Sequence, residues 1–264
     1  MPQHPTPGGR HELGQNFLVH LPTVERIVAL VRETRGPILE IGAGDGALTR
    51  PLADLGREIR AIDIDARRVS RLRARLPGVR VDHADVLEVP LDAPVIVGNI
   101  PFHLTTPILR RLLSADGWRT AVLLTQWEVA RKRAGVGGGT LLTAQTAPWF
   151  AFHLDQRVPA AAFRPRPNVD GGLLVIARRD RPLVPPSDRV RYASFVRRVF
   201  GARGRTLEQM YSAATGSTRR DAGRELGRAH VPGRLLPRDL GPEEWAALWR
   251  ETNRDRAAPR RRPR

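Results

Sequence analysis

The chain has 264 residues, a net charge of +17 at pH 7, no cysteine and one lysine, Lys132. That length supports one large domain, or a large one beside a small one, and the missing cysteines exclude disulfides, thiolate metal sites and cysteine nucleophiles. There is no apolar run long enough to span a membrane and no apolar signal segment at the start, so a cytoplasmic protein without a membrane partner is expected, while the excess of arginine points to a polyanion such as nucleic acid.

Residues 1–12, rich in Pro, Gly and His, read as a flexible arm. "LPTVERIVALVRE" (21–33) has helical apolar spacing and is broken by "RGP". An alternation follows: strand "PILEIG", helix "ALTRPLADLG", strand "EIRAIDID", helix "ARRVSRLRARL" and strand "VRVDHADV". Strand "APVIVGN", helix "TTPILRRLLS" and strand "RTAVLLTQ" continue it. Such alternation predicts a parallel sheet covered by helices on both faces. The apolar strands "PVIV" and "AVLL" suit burial on both sides. Next come "WEVARKRA", a flexible "GVGGG" and a helical "TLLTAQTAPWF". Strands "FHLDQRVP" and "GGLLVIARR" bracket a Pro-rich loop, "AAFRPRPNVD". Pro182, Pro185 and Pro186 mark a boundary, after which only short helices are expected, with Ser187 and Asp188 as N-cap candidates. The predicted organisation is an arm (1–12), a catalytic domain (13–180), a helical domain (181–255) and a disordered basic tail (256–264).

"ILEIGAGDGALT" places Gly42, Gly44 and Ala47 in the pattern G-x-G-x-x-(G/A), after a strand and before a helix. Glycine permits the tight turn and lets the backbone approach a nucleotide. Asp63, about twenty residues further on, ends the second strand, where a carboxylate binds ribose hydroxyls. A dinucleotide needs the helix N-terminus free for its phosphates; Glu40 and Asp45 oppose that. S-adenosylmethionine, with a sulfonium and no phosphate, tolerates them. Asp85 ends the third strand and can accept a hydrogen bond from an adenine amine, with Ile64 and Val86 beside these acids as cofactor contacts.

The fourth strand ends in Gly98-Asn99-Ile100-Pro101-Phe102. Ligands bind outside the carboxyl ends of such strands. An exocyclic adenine amine is a poor nucleophile because its lone pair is delocalised into the ring. Acceptors on both N–H bonds, the Asn99 side-chain oxygen and the Ile100 carbonyl, would favour a pyramidal nitrogen. Pro101 stiffens the turn and Phe102 offers a stacking face for a flipped-out base. No metal is required: transfer is in-line and rests on positioning and electrostatics.

"LGQNFL", "EIGAGDGALT", "AIDID", "ADVLEV", "GNIPFHLTTPIL" and "FRPRPNVDGGLL" stand in the order seen in rRNA adenine N6-methyltransferases, and residues 11–178 resemble the Erm type of that family. The resemblance implies a Rossmann-like class I methyltransferase, an α/β fold with a mostly parallel seven-stranded sheet and a small all-α C-terminal domain. The cofactor would be S-adenosylmethionine, leaving S-adenosylhomocysteine as product. Gln15, Asn16 and Leu18 would border its methionine end, with Asn99 beside them. Gly42 and Gly44 would form the floor, Asp63 would hold the ribose and Asp85 the adenine amine. Asn99, Ile100, Pro101 and Phe102 would be the catalytic turn, and Phe163 would pack on the target adenine or the methyl group. The implied substrate is one adenine in the peptidyl-transferase loop of 23S rRNA, protein-free or early in assembly. Its methylation would give macrolide–lincosamide–streptogramin B resistance, and the enzyme is expected to act as a monomer.

Many relatives carry Tyr where Phe102 stands, and stacking needs only the ring. Arg131, Lys132, Arg133, Arg164 and Arg166 are RNA-contact candidates. His11 and His103 have no partner at metal-site spacing. A DNA adenine methyltransferase is set aside because its turn usually reads Asp or Asn before Pro-Pro-Tyr or Pro-Pro-Phe and no target-recognition domain is evident. Two other rivals are a KsgA-type enzyme dimethylating 16S rRNA, which shares these motifs, and a non-catalytic nucleic-acid-binding relative. The intact glycine and Asn-Ile-Pro-Phe turns weigh against the second, and the "NIPF" wording, the small helical part and the Arg-rich tail against the first.

Overall fold

The computed structural model describes residues 16–254. The expected arm, Gln15, His11 and the basic tail lie outside the described residues.

A short strand, β1 (Phe17–Leu18), leads into helix α1 (Leu21–Arg32), which buries Val24, Ile27, Val28 and Val31 along one face. Then come β2 (Ile38–Ile41), α2 (Thr49–Ala53), β3 (Ile59–Asp63), α3 (Ala66–Arg75) and β4 (Arg80–His83). Helix α3 begins where the Asp65 carboxylate accepts from the Arg67 and Arg68 amides. Strand β5 (Val95–Asn99), helix α4 (Thr105–Ser114), strand β6 (Thr120–Gln126) and helix α5 (Trp127–Arg133) follow, and then α6 (Leu141–Thr146), β7 (Phe150–Val158), β8 (Phe163–Arg164) and β9 (Gly171–Arg178). Helices α7 (Arg189–Gly201), α8 (Leu207–Thr215), α9 (Arg219–Arg228) and α10 (Pro242–Thr252) end the described chain.

Seven strands form one sheet in the order β4-β3-β2-β5-β6-β9-β7. Neighbours from β4 through β6 run parallel, and β9 runs antiparallel to β6. This is the Rossmann-like α/β architecture the alternation predicts. The order reverses direction between β2 and β5, the place where such sheets open a crevice at their carboxyl edge. Differences from the sequence reading are local. Helix α2 is shorter than "ALTRPLADLG" suggested, and the Pro-rich loop holds the small strand β8, which pairs with β1. Asp188 stands at the N-cap of α7 without capping it; one carboxylate oxygen instead accepts from the Trp249 indole nitrogen at 3.3 Å.

The chain forms two compact units. The first runs to Ala130 and resumes at His153–Ala177; the second joins Arg131–Phe152 to everything from Arg178 onward. The division expected near residue 180 therefore falls elsewhere for 131–152. The reason is packing within the second unit. Gln145 and the Tyr192 hydroxyl each donate to a backbone carbonyl across the α6–α7 contact, at 2.8 and 3.0 Å. Edge-on rings of Tyr192, Phe195, Tyr211, Trp245 and Trp249 build the core beneath them.

Candidate active site

The glycine turn after β2 is shaped by backbone bonds. Gly42 and Ala43 both donate to the Ile62 carbonyl at 2.9 and 3.1 Å, and Gly44 donates to an Asp63 carboxylate oxygen at 2.7 Å. Gly42, Gly44 and Gly46 all have positive φ, which a side chain would resist. The second Asp63 oxygen accepts from Asp65 at 2.9 Å. Asp63 is thus buried and bonded to the loop through both oxygens, each of which keeps a further lone pair for a ligand hydroxyl.

A cavity of about 870 Å³ lies along this turn, lined by Phe17, Glu40, Gly42, Gly44, Asp45 and Asn99 among others. It shares residues with a smaller cavity on Asn16, Asp63 and Ile100–Phe102. That one in turn shares Gly42, Asp63, Ile100 and Pro101 with a third, on Ile64, Asp85, Val86 and Leu104. The three form one cleft along the carboxyl edge of β2, β3 and β5. One Asp85 oxygen accepts from Leu87 at 2.8 Å, turning the loop after β4 and leaving the other oxygen for a ligand. Ile64 is 49% exposed, an apolar surface that suits a base edge. Leu18 is buried in the wall.

Glu40 is the most strained electrostatic element. It is 1% exposed, and one of its oxygens has no hydrogen-bond partner. Burial pushes its carboxyl up to about 8; Thr49 opposes the rise and the Asp63 charge adds to it. A buried, unpartnered carboxyl is costly, and a cationic group beside it relieves that cost. Asp45 is different from the sequence expectation. Arg68 on α3 neutralises it at 2.6 Å, so the opposition to a phosphate falls on Glu40. The same guanidinium lies 4.1 Å over the Phe17 ring, and that ring packs on Gly44, where a Cβ would approach to 3.3 Å. These features fit an adenosyl ligand with a positively charged end.

At the end of β5, the Asn99 side-chain nitrogen donates to the Asn16 carbonyl at 2.7 Å. That bond orients the amide and turns its oxygen away from Asn16. Ile100 is anchored by its amide to the Leu124 carbonyl at 3.0 Å. The turn after Pro101 is locked from below by Thr105 and Thr125, whose buried hydroxyls meet at 2.8 Å. Phe102 is half-buried and meets Phe163 edge-on at 5.9 Å between ring centres.

Residues 8–227 match the ribosomal RNA adenine dimethylase family. The chain belongs to that family. Among the dimethylase relatives, an rRNA adenine N-6-methyltransferase of Corynebacterium diphtheriae is 53% identical over 76% of this chain and 81% of its own length. The mycinamicin-resistance protein MyrB of Micromonospora griseorubida is 47% identical over 93% of this chain and 80% of its own. The crystal structure of the 23S rRNA methyltransferase ErmE matches with a TM-score of 0.81 at 33% identity, covering 90% of this chain and 100% of that one.

Several candidate residues of this dimethylase-family chain stand differently from the sequence reading. Phe163 is fully buried, wedged between Phe102 and Gly171, so in this structure it offers no free face to a base. Arg131 and Arg133 are half-buried in the second unit, and Arg133 donates to the Thr140 hydroxyl at 2.6 Å; only Lys132 of that trio is exposed. Arg164 and Arg166 are exposed in the first unit, with Arg164 also donating to the Phe163 carbonyl at 3.0 Å. The loop they stand on is braced by Asp170, which accepts from the Ala160 amide at 2.8 Å and from Arg157 at 2.7 Å and is held below the usual carboxylate range by those bonds. Sequence reasoning missed Arg68. Its one signal was a run of arginines on α3 facing an acid in the glycine turn. Among the described residues no cluster of His, Asp or Glu could hold a metal, and no helix is long and apolar enough to cross a membrane.

Proposed function

We propose that this chain methylates N6 of one adenine of 23S rRNA and so confers macrolide–lincosamide–streptogramin B resistance. The observation that carries the chemistry is the Asn99 amide, oriented by the Asn16 carbonyl so that its oxygen remains the acceptor at the end of β5. The bound S-adenosylmethionine supplies an electrophilic methyl group on a sulfonium. Glu40 and the glycine turn hold the methionine end, Asp63 the ribose, and Asp85 with Ile64 and Val86 the adenine. Asn99 and the Ile100 carbonyl accept from the two N–H bonds of the target amine and aim its lone pair. Phe102 stacks on the target ring, supported from behind by Phe163.

Resistance and the large subunit are supported by the 47% identity to the mycinamicin-resistance protein and the likeness to ErmE. The net charge of +17 supports an RNA substrate without its proteins. The helical second unit is assigned to RNA binding; Lys132 on that unit, and Arg164 and Arg166 on the first, are backbone contacts, and the enzyme works as a monomer in the cytoplasm. The test uses labelled cofactor with protein-free 23S rRNA and with 30S subunits, mapped by primer extension. Label on one 23S adenine is expected. Label only on 30S subunits would transfer the chain to the small-subunit type.

A further inference from the structure

The cofactor cleft lies along β2, β3 and β5, so the target base approaches from the next strand, β6. That strand ends at Gln126, which pairs across the sheet with Gly171. In the parallel ladder Asn99 stands opposite Leu124, two residues before Gln126. Side chains two apart share a face. Gln126 therefore lies on the face of Leu124 and of Asn99. From strand spacing and rise its Cα lies about 8 Å from that of Asn99, towards the open edge. A flipped base spans that gap.

Three further observations isolate Gln126. Its opposite residue has no side chain, and a Cβ at Gly171 would come within 2.9 Å of the Phe163 ring and 3.2 Å of Leu124, so that side is apolar and includes the aromatic that supports Phe102. The following residue, Trp127, is fixed by its amide to the Asp170 carbonyl at 2.8 Å, so the end of the strand is rigid. The Gln126 amide is half-buried and has no hydrogen-bond partner among the described residues. A primary amide in such a place has both a donor and an acceptor to offer.

We propose that Gln126 is a specificity residue that reads the Watson–Crick edge of the target adenine, donating its side-chain N–H to N1. This rests on the adenine-N6 reading above. With both amine protons taken by Asn99 and the Ile100 carbonyl, N1 is the neighbouring edge atom left to recognise. It is an acceptor in adenine and carries a proton in guanine, so an N–H donor there accepts one purine and repels the other. Flipped bases are read through this edge.

The test is single-turnover methylation of a 23S rRNA fragment carrying adenosine, 1-deazaadenosine or 7-deazaadenosine at the target position. Wild-type enzyme is compared with Gln126→Leu and Gln126→Glu; the second keeps the shape of the side chain and removes the donor. Loss of N1 should slow the wild type about tenfold, the effect of one hydrogen bond. Both variants should be slowed about as much on adenosine and show no further loss on 1-deazaadenosine. The 7-deaza substrate should leave the ratio of wild type to variant unchanged. Equal sensitivity of wild type and variants to N1 removal overturns the proposal, as does sensitivity confined to the 7-deaza substrate. Failure of the wild type to methylate the adenosine fragment would instead overturn the adenine-N6 reading itself.

Discussion

The Asn99 side chain donates to the backbone carbonyl of Asn16, joining the Asn-Ile-Pro-Phe turn to a segment 83 positions earlier in the chain. One amide would then have two assignments: its nitrogen secures the segment that lines the cleft, and its oxygen, in the proposed function, would accept from the target amine. Asn99→Ala should lower single-turnover methylation by about a hundredfold or more, the usual cost of removing one polar group from the reacting centre. Cofactor affinity should fall only severalfold. Rapid-quench methylation beside isothermal titration separates the two, and equal losses would make the turn a binding element alone.

The two phenylalanines of the site should part company. Phe163→Ala removes a fully buried ring and should cost about 3–5 kcal/mol of stability, read from denaturant melts. Phe102→Ala truncates a half-buried ring and should cost less stability. Its main effect should be a higher KM for RNA and slower turnover, by roughly tenfold or more from lost stacking. A Phe102 variant as unstable as the Phe163 variant, with normal kinetics once folded, would make both rings merely structural.

Glu40 ties stability to pH. Its carboxyl titrates near 8 in the folded protein against an ordinary value of 4.5. Between those values the folded chain holds a proton that the unfolded chain releases. The stability this contributes is whole below the lower value and is lost as pH rises to the upper one. Glu40→Gln has no proton to lose. Thermal melts of ligand-free protein should show the variant gaining on wild type from pH 5 to pH 8, by about 5 °C or more. A difference that does not change with pH would mean that Glu40 is ionised throughout.

Arg68 reaches Asp45 and Phe17 together. Removing it releases an acid into the glycine turn and frees the ring that lies on Gly44. Arg68→Ala should raise the cofactor KM by about three- to tenfold, the sum of a partly exposed ion pair and a cation–π contact, with little change in kcat. Arg68→Lys should restore part of the loss. A fall in kcat at constant KM would argue against this role.

Much of the site was legible because it is local. The glycine turn, the acids Asp63 closing β3 and Asp85 following β4, and the Asn-Ile-Pro-Phe turn are each short runs whose chemistry follows from residue type and strand position. What escaped depends on folding at a distance. Arg68 meets its partners from another helix, and the burial of Phe163 follows from Gly171 giving up its side chain. The cations at 131 and 133 looked like a solvated, RNA-facing run. Arg133 bonds to Thr140 and the Arg131 guanidinium lies beside Gly137, contacts which their spacing alone does not reveal.

The placement of residues 131–152 with the C-terminal helices has a practical side. The polypeptide leaves the first unit at Ala130, returns at His153 and leaves again after Ala177. A chimera that exchanges the C-terminal half between relatives with one crossover near residue 180 would match one parent's α6 to the other parent's α7. The bonds from Gln145 to Ala193 and from Tyr192 to Ala144 would then join foreign surfaces. Recombination that respects this wiring carries both pieces at once.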